Sequence, residues 1–153
     1  MNQSAETIAF ASVVVAASQT DAFATFVNLD AWWPRESHHI GSLPAVASVL
    51  ESHTGGRIFE RSEDGTECDW GRVLAYEPPS RLLLDWQLTF AFEYDPRFHS
   101  NVEVLFIIEG PKQTRVELRH DVEPFGEKAA EMRATFESGG GWTGLLARFA
   151  AIV

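Results

Sequence analysis

A lone cysteine, Cys68, leaves the chain without an intrachain disulfide. That suits a reducing compartment such as the cytosol. Cationic side chains are also scarce: 12 Lys and Arg stand against 22 Asp and Glu, a formal net charge of −10. Nucleic acid and anionic lipid both need a cationic partner surface, so neither is expected to bind. No apolar run approaches the ~20 residues that cross a bilayer. The apolar stretch Ile8–Ala17 lacks the basic flank of a signal peptide, because the first basic residue is Arg35. The expected location is therefore cytoplasmic. Metal-ligand spacing such as His-x-x-x-His is missing too, so neither a metal nor a cofactor is expected.

Aromatic bulk is plentiful, with 11 Phe and five Trp in 153 residues. Large rings fill a core and also wall apolar cavities. The length suits one domain, residues 1–153, with enough buried surface to hold itself together without staples.

Met1–Glu6 reads as a loose polar tail. Residues 8–16 concentrate β-branched side chains and read as a strand. Ser18 or Thr20 caps a short helix in which Ala22, Phe23, Phe26 and Val27 recur at helical spacing. Ala31–Pro34 is a turn or short helix, and residues 35–45 a loop. A short strand at 46–52 precedes a meander at 56–61, 66–76 and 81–90, cut by Asp64-Gly65 and Pro78-Pro79. Residues 90–100 extend and then loop. Two more strands follow: Val102, Val104, Phe106 and Ile108 alternate on one, Thr114, Val116, Leu118 and His120 on the other. Helical pattern returns at 127–137, breaks at Ser138-Gly-Gly-Gly141, and resumes with Trp142, Leu145, Leu146, Phe149 and Ile152. Segregated strands and helices make the fold class α+β.

An ordered series of motifs then stands out. It runs Gly55-Gly56-Arg57 to Glu60, Asp64-Gly65, Gly71-Arg72-Val73, Glu77-Pro78-Pro79, Arg81-Leu82 to Trp86, Thr114-Arg115-Val116 and Gly141-Trp142. From about residue 8 to 152 the chain resembles the START-like superfamily (SRPBCC, helix-grip or polyketide-cyclase-like). Within it the chain is similar to the branch named for homologues of the activator of a heat-shock chaperone ATPase. The resemblance implies a curved antiparallel sheet wrapped around a long C-terminal helix, with two short helices after the first strand. It also implies a cavity between sheet and helix for a small, largely apolar ligand, or chemistry of the cyclase or dehydratase type. A chaperone partner is ranked last, since no separate partner-binding domain is present. Oligomeric state is open between monomer and homodimer.

Strand alternation proposes which residues meet that cavity. Ile58 pointing inward carries Glu60 with it. Counting back by two from Val73 and Gly71 brings Asp69 and Glu67 inward, provided no bulge intervenes. His120 ends the inward set of its strand. Glu60, Glu67, Asp69 and His120 are therefore the candidate acid–base residues, because a desolvated carboxylate is a proton donor or acceptor near neutrality. The competing structural reading pairs Glu60 with Arg57, Arg61 or Arg72 near the cavity mouth. Trp32, Trp33, Ile58, Trp70, Trp86, Phe106, Trp142, Leu145 and Phe149 are the candidate ligand contacts. His38-His39 reads as a solvated loop pair, one of which can reach the mouth. Cys68 lies opposite Glu67 and has no partnering histidine, so an inert thiol is expected.

Overall fold

Period-two alternation and turn residues carry through into seven antiparallel strands. The computed structural model describes residues 7–153, so the tail Met1–Glu6 lies outside the described residues. The chain forms β1 (Ile8–Val15), α1 (Gln19–Val27), a 3-10 turn at Leu29–Ala31, β2 (Ala45–Leu50), β3 (Arg57–Ser62), β4 (Glu67–Glu77), β5 (Arg81–Trp86), β6 (Ser100–Gly110) and β7 (Gln113–Asp121). A second 3-10 turn at Glu123–Lys128 leads into α2 (Ala129–Glu137) and α3 (Trp142–Ile152). The sheet order is β1-β7-β6-β5-β4-β3-β2. The first two strands therefore occupy opposite edges, and α1 with the 28–44 segment crosses between them.

Ser18 caps α1, accepting a hydrogen bond from the Asp21 amide at 3.1 Å. The helix buries Ala22, Phe23 and Phe26. On the sheet, Leu82, Leu84, Val102, Val104, Phe106, Val116 and Leu118 are all buried, as their alternation predicts. Trp142, Leu145, Leu146 and Phe149 answer them from α3. Each such side chain contributes about 1.5–3 kcal/mol by leaving water, so sheet and C-terminal helix hold one another. The fold is the expected α+β helix-grip.

The C-terminal helix has two arms. Ser138 turns extended (φ −79°, ψ 173°) and ends α2. At Gly141 an added Cβ would run into the carbonyls of Thr135 and Phe136, so only glycine lets α3 start this close to α2.

A bulge in β4 sets the geometry of everything that follows. Ile58 pairs with Gly71, but Phe59 pairs with Asp69, which leaves Trp70 as the extra residue. Trp70 and Gly71 are consequently both buried although they are neighbours. Gly71 has its own reason to be glycine: a Cβ there would strike the Asp85 carbonyl of β5.

Candidate functional site

Four tryptophans from four different elements converge beside the α2–α3 break. Trp33 follows the first 3-10 turn, Trp70 sits at the β4 bulge, Trp86 ends β5 and Trp142 starts α3. Their rings form a continuous chain of contacts: Trp33–Trp70 at 5.1 Å, Trp70–Trp86 at 6.2 Å and Trp86–Trp142 at 5.2 Å between centroids. They wall a cavity of about 440 Å³. Leu88, Phe92, Phe136 and Leu145 add apolar surface, while Ser37, His38, His39 and Ser138 supply polar groups. One side of the cavity is the strap of residues 34–44; the other is the α2–α3 junction.

The wall is fixed by buried polar groups standing behind it. Glu60 is fully buried on the inner face of β3. Its Oε1 accepts from the Trp70 indole N–H at 2.8 Å and from the Ile40 amide at 2.7 Å; its Oε2 accepts from the Gly41 amide at 3.0 Å. One carboxylate thus ties the strap to the bulge and orients Trp70. His120 does the equivalent for Trp142. The indole can only donate, so at 3.1 Å the His120 Nδ1 must be the acceptor. The proton then sits on Nε2, which donates to Ser100 Oγ at 2.9 Å, and Ser100 donates onward to the Trp86 carbonyl at 2.9 Å. Phe136 stacks on the imidazole at 4.2 Å. Complete burial pushes the imidazole down to about 3, so it is neutral at physiological pH.

The strap is further pinned by His38. The Trp33 indole donates to its carbonyl at 3.0 Å, and its Nε2 meets the Gly140 carbonyl at 2.8 Å. A carbonyl only accepts, so Nε2 carries hydrogen, while Nδ1 is hydrogen-bonded with Ser37 Oγ at 2.8 Å. This contact joins the two sides of the opening.

Residues 19–153 match the family model described as Activator of Hsp90 ATPase homolog 1-like protein. The chain belongs to this family. No curated protein matches it. Among solved structures it is similar to Txn09, an anthrahydroquino-γ-pyrone synthase complexed with SUM: 36% identity over 95% of this chain and 96% of the other, TM-score 0.65. It is similar as well to CalC, a self-sacrificing resistance protein from Micromonospora echinospora: 27% identity, 95% and 93% coverage, TM-score 0.67. The protein NE0264 from Nitrosomonas europaea shares the fold alone, at 11% identity, 99% and 96% coverage and TM-score 0.68.

For this family member the sequence-derived face map needs correction at β4. Glu67 and Asp69 do not reach the cavity side. The bulge at Trp70 reverses the alternation, and both carboxylates lie on the outer face beside Arg57. Arg57 bonds Asp69 at 2.7 Å and Glu67 at 3.0 Å, and Arg61 bonds Glu67 at 3.1 Å. Arg57, then Arg61, hold the Glu67 carboxyl below its ordinary range. Arg57 and Arg61, two of the three arginines read as partners of Glu60, serve these two acids instead. Cys68, paired across from Glu60, has its thiol pushed up by burial and then by Glu60, which disfavours the nucleophilic thiolate.

Glu60 and His120 stand behind the wall rather than in it. Of the candidate ligand contacts, Trp33, Trp70, Trp86, Trp142 and Leu145 line the cavity. Trp32, Ile58, Phe106 and Phe149 pack in the core, where Phe149 meets Phe26 at 5.4 Å and Trp32 at 5.7 Å. His38-His39, read as a solvated loop pair of which one can reach the mouth, both line the cavity, as do Ser138, Gly140 and Gly141 at the α2–α3 rim. No spacing announces this, because a loop has no periodicity to reveal what it faces. The doublet His38-His39 was the available signal. Among the described residues, no cluster of three or more His, Cys, Asp or Glu is placed to hold a metal ion. No helix among the described residues is long and apolar enough to cross a membrane.

Proposed function

We propose that the chain binds one small, flat, largely apolar molecule in the tryptophan-walled cavity. The observation that carries this reading is a cavity of about 440 Å³ bounded by four indoles. That volume lies within the few hundred cubic ångströms of ordinary ligand sites. Indole faces favour flat π-systems. Similarity to a synthase named for a fused-ring pyrone supports the same ligand class. The polar groups gather at the strap and the α2–α3 rim, so the ligand's polar substituents face outward there. Chain composition and the single cysteine fit work in the cytoplasm.

A second reading, an enzyme of the cyclase type, draws on His39. It lines the cavity, and its Nδ1 lies 3.0 Å from the Gly41 carbonyl. In the neutral ring that contact puts hydrogen on Nδ1 and leaves a basic lone pair on Nε2. His39, rather than Glu60 or His120, is then the candidate base.

Native mass spectrometry of protein purified from its own cells tests both readings. Binding predicts a retained small molecule at one per chain. Catalysis predicts that a molecule retained by His39→Gln protein changes chromatographic retention, with or without loss of water, on incubation with wild-type protein but not with fresh His39→Gln. Protein that never retains a molecule under any purification contradicts the tight-carrier form of the proposal.

A further inference from the structure

The rim of the cavity carries a backbone outlier. Phe92 has φ 58°, and among the described residues no other residue except glycine has a positive φ. It ends a three-residue hairpin loop, Phe90-Ala91-Phe92, beyond β5. The Phe92 amide donates to the Thr89 carbonyl at 2.8 Å, the Thr89 amide donates to the Glu93 carbonyl at 2.9 Å, and Leu88 bridges to Tyr94. The last position of such a loop turns left-handed, and glycine is its ordinary occupant. A bulky side chain there is strained.

The turn does not need this ring, and packing accounts for only part of it. Phe92 meets Phe136 edge to face with 6.4 Å between centroids, yet the residue stays 41% exposed. It lines the cavity while open to solvent, so it borders the opening and its ring is accessible to a ligand. Phe90, two residues earlier, does not line the cavity; the Lys128 ammonium lies 5.4 Å from its ring centroid. The base of the loop is pinned. The Asp95 amide donates to the Gln87 carbonyl at 3.0 Å, and the Gln87 side chain donates to the Pro96 carbonyl at 3.1 Å. Backbone strain that persists on a pinned loop at a binding site is the mark of a ligand clamp.

We infer that Phe92 is the clamp of the cavity, a ring preset by the turn to cover the bound molecule at the opening. The inference rests on the binding proposal above and assigns the residue that closes its open side. Binding buries the half-open ring, so the gain appears as affinity and not as stability of the empty protein.

Fluorene, a flat apolar probe, is titrated into the full chain and three variants. Phe92→Gly and Phe92→Ala remove the ring and are each expected to weaken binding about ten-fold. Phe92→Tyr keeps the ring and is expected to bind within about two-fold of wild type. Thermal melts of the empty protein read the strain: Phe92→Gly is expected to melt about 2–4 °C above Phe92→Ala, the reverse of the order at an ordinary backbone position. A readout in wild type needs no variant: nuclear Overhauser contacts between fluorene and the Phe92 ring protons. Affinity that is unchanged in Phe92→Gly, absence of those contacts at saturation, or a glycine variant that melts no higher than the alanine variant overturns the inference and leaves the binding proposal standing. Fluorene that fails to bind the wild type overturns both together.

Discussion

Replacing Glu60 with alanine lowers the melting temperature by about 10–15 °C. The change strands three donors that the structure gives to this one carboxylate: the Ile40 amide, the Gly41 amide and the Trp70 indole. Each unsatisfied buried donor costs about 1–3 kcal/mol. The three share one site and do not add fully, so about 3–5 kcal/mol is expected. In a domain of this size, 1 kcal/mol corresponds to about 2–4 °C. Glu60→Gln keeps the shape and one strong acceptor, and loses roughly a third to a half as much. The loss is also local. Hydrogen exchange at Ile40 and Gly41 accelerates in both variants, because the strap is no longer tied to β3. An unchanged melting temperature with unchanged protection at these two amides contradicts the role assigned to Glu60.

Acid destabilisation begins well above the range in which carboxylates titrate, and His120 is the cause. Burial lowers the folded imidazole to about 3, against an ordinary 6.5. The sign follows from proton binding. Below 6.5 the unfolded chain takes up a proton at this position that the folded chain refuses, so stability falls with pH and is lost progressively towards 3. The slope approaches about 1.4 kcal/mol per pH unit, or roughly 2 kcal/mol between pH 6.5 and pH 5. Urea midpoints measured from pH 7.5 to pH 4.5 show it as a fall beginning near 6.5. His120→Gln is less stable at neutrality, because Trp142 and Ser100 lose their partner geometry, yet its midpoint is nearly flat from pH 7 to pH 5. A wild-type midpoint that stays flat across that interval contradicts a neutral, buried His120. The folded-state preference for the uncharged ring, with both nitrogens hydrogen-bonded behind the wall, also makes His120 a positioning residue rather than a proton carrier.

These two residues show how far a sequence can be read. Glu60 and His120 lie on the inner face as alternation predicts, because no extra residue interrupts β3 between Ile58 and Glu60 or β7 between Val116 and His120. The same counting fails for Glu67 and Asp69, since the one extra residue at Trp70 reverses a face and alternation alone does not show where a bulge falls. Gly71 is the retrospective clue, a glycine within a strand at a point of close backbone approach. Helices and strands themselves were legible from periodicity and turn residues. The cavity was only half legible. Tryptophans on strands and on α3 could be assigned inward, but the wall contributed by Ser37–Ile40 belongs to a loop. Its position is set by tertiary bonds to Glu60 and Gly140, which no spacing encodes. Trp32, Ile58, Phe106 and Phe149 show the converse: inward-facing residues deep in the sheet fill a core rather than face a ligand.

The cavity itself is the point on which the functional reading stands. Tryptophan fluorescence, titrated with fluorene in the wild type and in Leu145→Trp, measures it directly. Leu145 lines the cavity from α3, so the larger ring occupies space that the ligand needs. Saturable one-to-one quenching is expected in the wild type, with affinity reduced at least about ten-fold in Leu145→Trp, provided circular dichroism shows the variant folded. Saturable binding of equal strength in wild type and folded Leu145→Trp would place the ligand elsewhere and contradict the cavity as the binding site.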